Sequence, residues 1–245
     1  MEFEAQIKDV LLRNYNVKSF RFPRPSQMDF EPGQFMFVTI RTDGREAQKH
    51  FTISSSPTEK EFIEFTKKLT GHPFSNALEK LKVGDWAKID CPYGDFAFSG
   101  EFKKVAMLTG GIGITPMRSM CRYCTDLNLD CKITLLYSNH SEKQIVFREA
   151  LESMQRQNKN FKVVFSTTEH AVDWNGYTDR IDANMVKKEI PDYLETIFYT
   201  CGPPSMVEAV VTLLKDMKVN EDHTQEEDFL RVLKKMLFLS YRVRY

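Results

Sequence analysis

The spacing of apolar residues changes character near Val105, and that change argues for two architectures in one chain. Before it lie short β-rich runs: "EFEAQIKDVLL", "VKSFRF", "QFMFVTI", "HFTISSS", "FIEFTKKL" and "WAKIDC". Pro32-Gly33, Asp43-Gly44, Ser56-Pro57, Gly71 and Gly84-Asp85 punctuate them. Closely spaced strands with turn signals between them predict an antiparallel barrel, interrupted by one short helix in "FSNALEKL". After Val105, apolar strands alternate with helix patterns: "VAMLTG", a helix from Thr115, "KITLLYS", "EKQIVFREALESM", "FKVVFSTT", "TIFYTCG" and "PSMVEAVVTLLKDM". Alternation of this kind predicts a parallel sheet with helices on its faces. The junction falls in residues 94–104, and no internal repeat is visible.

Charge and cysteine usage narrow the function classes. Lys+Arg and Asp+Glu both number 34, so the formal net charge is zero, and no long block of one sign attracts nucleic-acid phosphates. Small molecules or proteins are the expected partners. "MEFEAQIKDVLL" lacks a basic n-region followed by an apolar stretch, and no apolar run approaches the ~20 residues of a membrane span. A cytoplasmic address without membrane contact is therefore expected. Five scattered cysteines, Cys91, Cys121, Cys124, Cys131 and Cys201, do not form a disulfide framework. Cys121 and Cys124 have a spacing that can ligate metal, but no second pair follows, and Met117, Met120, Cys121 and Cys124 share one helical face. Core packing is the reading we adopt, and no metal site is expected.

The stretch "VAMLTGGIGITPMRSM" carries the first functional signal. Gly110, Gly111 and Gly113 stand where a parallel strand ends and a helix begins, the place at which helix-start N–H groups receive an anion. Glycine removes the Cβ that would keep a pyrophosphate away, and Pro116 suits the first helical turn. The pattern departs from the ordinary dinucleotide fingerprint. Proline replaces its third glycine, and Tyr137, Ser138, Asn139 and His140 stand where an acidic residue is expected. Taken alone, the segment also fits a simple tight turn.

Two further segments bear on the choice. "FYTCGPPSM" ends a strand in Cys201-Gly202-Pro203-Pro204, small residues that leave room for a flat ring or merely stop a strand. "KHFTISSSP" bears a cation, an aromatic and a hydroxyl in succession. Alternation places Lys49 and Phe51 on one face and His50 and Thr52 on the other unless the strand bends. An isoalloxazine ring needs an aromatic neighbour and a donor, and its phosphates need a cation and helix-start amides. "GHPFSNAL" offers such a helix start, with Ser75 expected as its N-cap.

In this order, "FEPGQFMFVTI", "KHFTISSSP", "GHPFSNALEKLKVGD", "CPYGDF", "TGGIGITP" and "YTCGPPSM" resemble the ferredoxin-NADP reductase family over nearly the whole chain. The resemblance implies an N-terminal antiparallel β-barrel that binds flavin, followed by an α/β domain with a parallel five-stranded sheet that binds nucleotide. The expected bounds are 1–100 for the FAD-binding barrel, 101–222 for the NAD(P)-binding domain and 223–245 for a C-terminal helical extension. Lys49, His50, Phe51, Thr52, Ile53, Ser54, Thr66, Lys67, Gly71, Phe74 and Ser75 would hold FAD. Thr109, Gly110, Gly111, Ile112, Gly113, Thr115, Pro116, Tyr137, Ser138, Cys201, Gly202, Pro203 and Met206 would hold NADPH or NADH. Thr52, placed at the flavin N5, and Cys201, beside the nicotinamide, are the expected catalytic residues.

Departures from the family pattern are explicit. Lys49 replaces an arginine and loses its planar fork, so FMN competes as a cofactor, and Phe51 replaces a tyrosine and loses its hydroxyl. The family's acidic-aromatic ending is half visible at "EEDFLRV", with Glu226, Glu227 and Asp228 as candidates. Phe229, Leu233, Met236 and Leu237 then recur at helical spacing up to the terminal Tyr245. That segment reads as a helix docked on its own domain, with a partner surface, a membrane contact or a flap over the flavin as alternatives. No histidine among His50, His72, His140, His170 and His223 shows metal spacing. The implied reaction is hydride transfer from NAD(P)H to FAD and electron release to an external acceptor, ferredoxin or another redox protein. An electron-transfer subunit without independent turnover is the alternative, and a module that lost its flavin is the third.

Overall fold

The computed structural model describes residues 1–169 and 173–227. Its first half is β1 (Glu2–Gln6), β2 (Asp9–Asn14), β3 (Val17–Pro23), β4 (Phe35–Thr42), β5 (Arg45–Thr52), β6 (Phe62–Lys68), α1 (Pro73–Lys80) and β7 (Trp86–Tyr93). These strands form two antiparallel sheets, β1-β7-β4-β5 and β2-β3-β6, joined by a bridge between Ile53 and Phe65. Period-two alternation turns Phe20, Phe22, Met36, Val38, Ile40, Ile63 and Phe65 inward, and all are fully buried. Phe20 stacks on Phe65 with ring centroids 5.0 Å apart. The expected barrel is therefore present, and the run "EFEAQIKDVLL" divides into two strands belonging to different sheets.

The second half contains β8 (Lys104–Gly110), α2 (Ile114–Asp126), β9 (Lys132–Asn139), α3 (Arg148–Gln157), β10 (Phe161–Thr167), α4 (Ala183–Glu189), β11 (Ile197–Cys201), α5 (Pro204–Asp216) and β12 (Thr224–Glu226). All five strands are parallel, in the order β10-β9-β8-β11-β12. Val105 and Met107 pack on one face with α2 and α3, whereas Ala106 and Leu108 pack on the other with α4 and α5. Burial on both faces explains why "VAMLTG" reads as an uninterrupted apolar run. Met117, Met120, Cys121 and Cys124 are fully buried in the first of these cores, where sulfur serves as packing.

One element corrects the sequence reading. Thr224–Glu226, expected at the start of a helical extension, is the fifth strand and pairs with Phe198–Thr200 of β11. The segment 182–189, to which no helix was assigned, forms α4 with an Asp182 carboxylate cap on the Met185 N–H at 2.7 Å. His170, Asp228 and the helical pattern Phe229, Leu233, Met236, Leu237 through Tyr245 lie outside the described residues. No helix among the described residues is long and apolar enough to cross a membrane.

Candidate active site between the two domains

Strand order reverses between β8 and β11, and an open parallel sheet receives ligands at such a point, beyond the strands' carboxyl ends. The Gly110–Gly113 turn and the Cys201–Pro203 turn leave the sheet there. Facing them across a cleft of about 570 Å³ are the end of β5, the end of β6 and the start of α1.

The barrel wall of this cleft is built by an edge strand. Lys49, His50, Phe51 and Thr52 all line it, although alternation alone would split them between two faces. β5 is the last strand of its sheet, and the cleft runs along its open edge, so that His50, which packs beside Phe35, and Phe51, which stacks on Phe65, both reach it. Its Ile53 N–H donates to Gln34 C=O at 2.9 Å, and register is continuous back to Arg45. The alternating ladder therefore turns the Thr52 N–H away from β4. Phe51 stacks on Phe65 at 4.4 Å and tilts against Phe74 at 5.9 Å. Burial, then Lys49 and Lys67, lower the His50 pKa, which keeps the ring neutral at about pH 7. Burial likewise lowers the Lys67 pKa.

Helix α1 completes this wall. Its N-cap is His72, and Pro73 occupies the first turn, where a missing N–H leaves no hydrogen bond unmade. Ser75 is not the expected N-cap. It lies inside the first turn, and its hydroxyl accepts from the Thr70 N–H at 2.8 Å, folding the preceding loop against the helix. Thr70, which the sequence reading does not name, and His72, which it names only among histidines without metal spacing, line the cleft.

On the opposite wall the three glycines have different tasks. A Cβ on Gly113 would lie 2.3 Å from the Cys201 carbonyl oxygen, so glycine there lets the two turns touch. Gly111 has φ +54° and open space where a Cβ would stand, which leaves its backbone accessible to a ligand. Thr109 donates its hydroxyl to the same Cys201 carbonyl at 2.7 Å, and Tyr137 donates to Gly111 C=O at 2.9 Å. Met206 packs against both Gly110 and Gly202. Cys201 lines the cleft but is almost wholly buried, and burial, then Glu227, push its thiol pKa well up. It is a thiol that packs, not a thiolate that attacks.

The cleft thus brings together Lys49, His50, Phe51, Thr52, Thr66, Lys67, Phe74, Ser75, Ile112, Gly113, Thr115, Cys201, Gly202 and Pro203. Other residues expected at the site do not line it. Ile53 belongs to the barrel core, and Ser54 is buried in a polar network with Glu64 and Thr66. Pro116 is buried in α2, and Thr109, Gly110, Tyr137 and Met206 support the turns from behind. Gly71 is exposed beside the lining residues Thr70 and His72, and Ser138 stands at the end of β9.

The oxidoreductase FAD-binding domain family matches residues 4–98, and the oxidoreductase NAD-binding domain family matches residues 107–212. The chain belongs to the ferredoxin-NADP reductase family. The chain is 32% identical over 228 residues to the glycine betaine monooxygenase reductase subunit of Chromohalobacter salexigens, covering 90% of itself and 62% of that protein. It thus spans less than two thirds of that relative. NADH-cytochrome b5 reductase 1 of Rattus norvegicus is 27% identical, with 84% of this chain and 79% of that protein covered. The fold matches the cytochrome b5 reductase domain of Ulva prolifera nitrate reductase with a TM-score of 0.82 at 24% identity, covering 93% and 97% of the two chains. The cleft itself fits an anionic dinucleotide. Its lining contains two lysines, two histidines and the start of α1, and among the described residues that line it there is no carboxylate.

Proposed function

We propose that this protein takes a hydride from NADH onto bound FAD and delivers the electrons to a separate redox protein. The observation that carries the proposal is the carboxylate-free cleft in which the Thr52 end of β5 faces the Cys201 end of β11. FAD, when bound, accepts two electrons with a proton and passes them on. The chain's own groups bind and align. Lys49, Lys67 and the first turn of α1 offer positive potential to the pyrophosphate, and Phe51 offers a ring face. Thr52 presents a hydroxyl and an N–H at the seam. Gly111 and the start of α2 offer backbone to the second nucleotide, and the small Cys201-Gly202 corner leaves room for the nicotinamide.

NADH is favoured over NADPH by the surroundings of β9. Arg148, one of the cations that follow this strand, already has its charge balanced by Glu142 and Glu152, which leaves less of it for a 2′-phosphate. The names of several relatives also specify NADH. The acceptor is proposed as a protein because relatives are named as a monooxygenase reductase subunit and as cytochrome b5 reductases. Ferredoxin is one member of that class, and turnover with ferredoxin compared with ferricyanide distinguishes a dedicated partner from a general one. The first test is the visible spectrum of the purified protein, followed by anaerobic addition of each nucleotide. A flavin chromophore bleached faster by NADH is expected. Protein that stays colourless after incubation with FAD would sink the proposal.

A further inference from the structure

The two walls of the cleft meet at a buried ion pair between Arg118, inside the glycine-turn stretch, and Glu59, which no sequence motif contains. Arg118 lies one helical turn beyond Ile114, the first residue of α2, and the glycine turn precedes that residue directly. Its side chain is only 9% exposed. One guanidinium nitrogen, Nη2, donates to Glu59 Oε1 at 2.8 Å. The other, Nη1, donates both to Glu59 Oε2 and, at 2.9 Å, to the Ser54 carbonyl. Next to it the Ser119 hydroxyl donates to the Ser55 carbonyl at 2.7 Å. Glu59 is itself held, since it accepts from the Ser56 N–H at 2.7 Å and so pins the loop between Ser54 and Glu59.

These contacts end close to the reacting groups on both sides. Ser54 is two residues beyond Thr52, and its hydroxyl shares a hydrogen bond of 2.9 Å with Thr66, which lines the cleft. On the nucleotide side only a rigid first turn of helix separates Arg118 from the glycines. The guanidinium also lies over the ring of Phe147, 5.7 Å from its centroid, and Arg13 of the barrel lies 5.0 Å from the same ring. Phe147 holds a left-handed backbone, φ 61°, immediately before α3.

A buried ion pair adds little net stability, because desolvating two charges offsets most of their attraction. Arg118 Nε is moreover buried without a hydrogen-bond partner among the described residues. What a planar fork with several fixed donors does supply is direction: it fixes both the distance and the angle between the elements it joins. Hydride transfer is sensitive to that quantity, since a misplacement of about 1 Å costs roughly a hundredfold in rate. We infer that Arg118, clamped to Glu59 and Ser54, is a positioning residue that sets the separation of the two cleft walls and hence of the two rings that react between them. The inference rests on the proposed hydride-transfer function.

The test compares FAD-loaded parent protein with the double variant Arg118→Met/Glu59→Leu, which removes both charges together and leaves neither alone in the seam. The double variant is expected to keep its FAD but to be reduced by saturating NADH about tenfold more slowly or worse. The long-wavelength charge-transfer absorbance of the nucleotide complex is expected to weaken. Amides of residues 111–119 are expected to exchange hydrogen faster in the absence of nucleotide. An unchanged reduction rate and absorbance overturn the inference, whatever happens to the urea midpoint. Should the double variant lose its FAD, Glu59→Gln takes its place, with the same direction expected and equality with the parent again overturning. A parent that neither nucleotide reduces defeats the proposed function instead, and the exchange comparison still decides the seam: equal exchange in the two proteins overturns the positioning role.

Discussion

Thr52 is the side chain on which the barrel half of the site turns. It is 5% exposed, ends β5, and lies where the open edge of that strand meets the cleft. Neither its hydroxyl nor the Cys201 thiol needs to change protonation for a hydride to move, so both are assigned to alignment. Thr52→Ala is expected to retain the bound flavin, because Lys67, Phe51 and α1 remain, and to slow anaerobic reduction by roughly tenfold, on the order of one lost charge-directed hydrogen bond. Stopped-flow absorbance checks this, and a parent-like rate removes Thr52 from the mechanism.

Among the elements, the turn between β8 and α2 is the most constrained. Gly113 must pass the backbone of Cys201, and a methyl group there meets the carbonyl oxygen at 2.3 Å and its carbon at 2.6 Å. Backbone atoms cannot swing aside as a flexible side chain can. Gly113→Ala is therefore expected to destabilise by about 1–3 kcal/mol. Gly111→Ala meets no atom and bears only the strain of a left-handed residue, about 1–2 kcal/mol. Urea unfolding of the two variants, combined with their NADH affinities, separates the tasks: Gly113→Ala should loosen the fit between the two turns, Gly111→Ala the nucleotide. A Gly113→Ala protein as stable as the parent contradicts the close approach.

For the whole molecule, both apolar packing, with Val17 and Phe98 buried in the core of the second domain, and polar contacts cross the seam. Besides the Arg118 clamp, Thr58 donates to Asp126 at 2.6 Å, Tyr199 to the Ala97 carbonyl at 3.1 Å, and Gln144 to Tyr15 at 2.9 Å. Burial opposes ionisation of Glu59, but the Arg118 guanidinium outweighs it and holds the carboxyl below its ordinary value of 4.5. A carboxyl whose pKa is lowered by folding contributes stability above its unfolded value and loses it as pH falls through the folded one. The parent should therefore exceed Glu59→Gln by about 3 kcal/mol near neutral pH. That difference should shrink as pH drops below 4.5. Urea midpoints measured against pH check the sign, and a difference that grows in acid refutes it.

Local order was legible because it is carried by neighbours in the chain. Alternating residues such as Met36, Val38 and Ile40 declare a half-buried strand, and the three glycines before Pro116 declare a strand-to-helix turn. The lining residues from Lys49 to Thr52, and Cys201 to Pro203, are legible through the family resemblance, because each group is contiguous and lies inside one quoted segment. Thr224–Glu226 was misread because three residues are too few to show a period, and only the exposed edge of β11 makes them a strand. Ile53 and Ser54 were assigned to the cofactor because they follow Thr52, whereas β5 there leaves the cleft for the barrel core and the seam.

By itself, then, the sequence determined the two architectures and their order, since both follow from periodicity within short windows, while a nucleotide role for the turns at the strand ends is what the resemblance of six segments in order implies. Only the tertiary structure decided which side of each residue meets the cleft and that Arg118 closes on Glu59. It also decided that Gly113 serves the neighbouring strand end. Those contacts join residues 59 or more positions apart in the chain, and chain proximity carries no information about groups brought together only by packing.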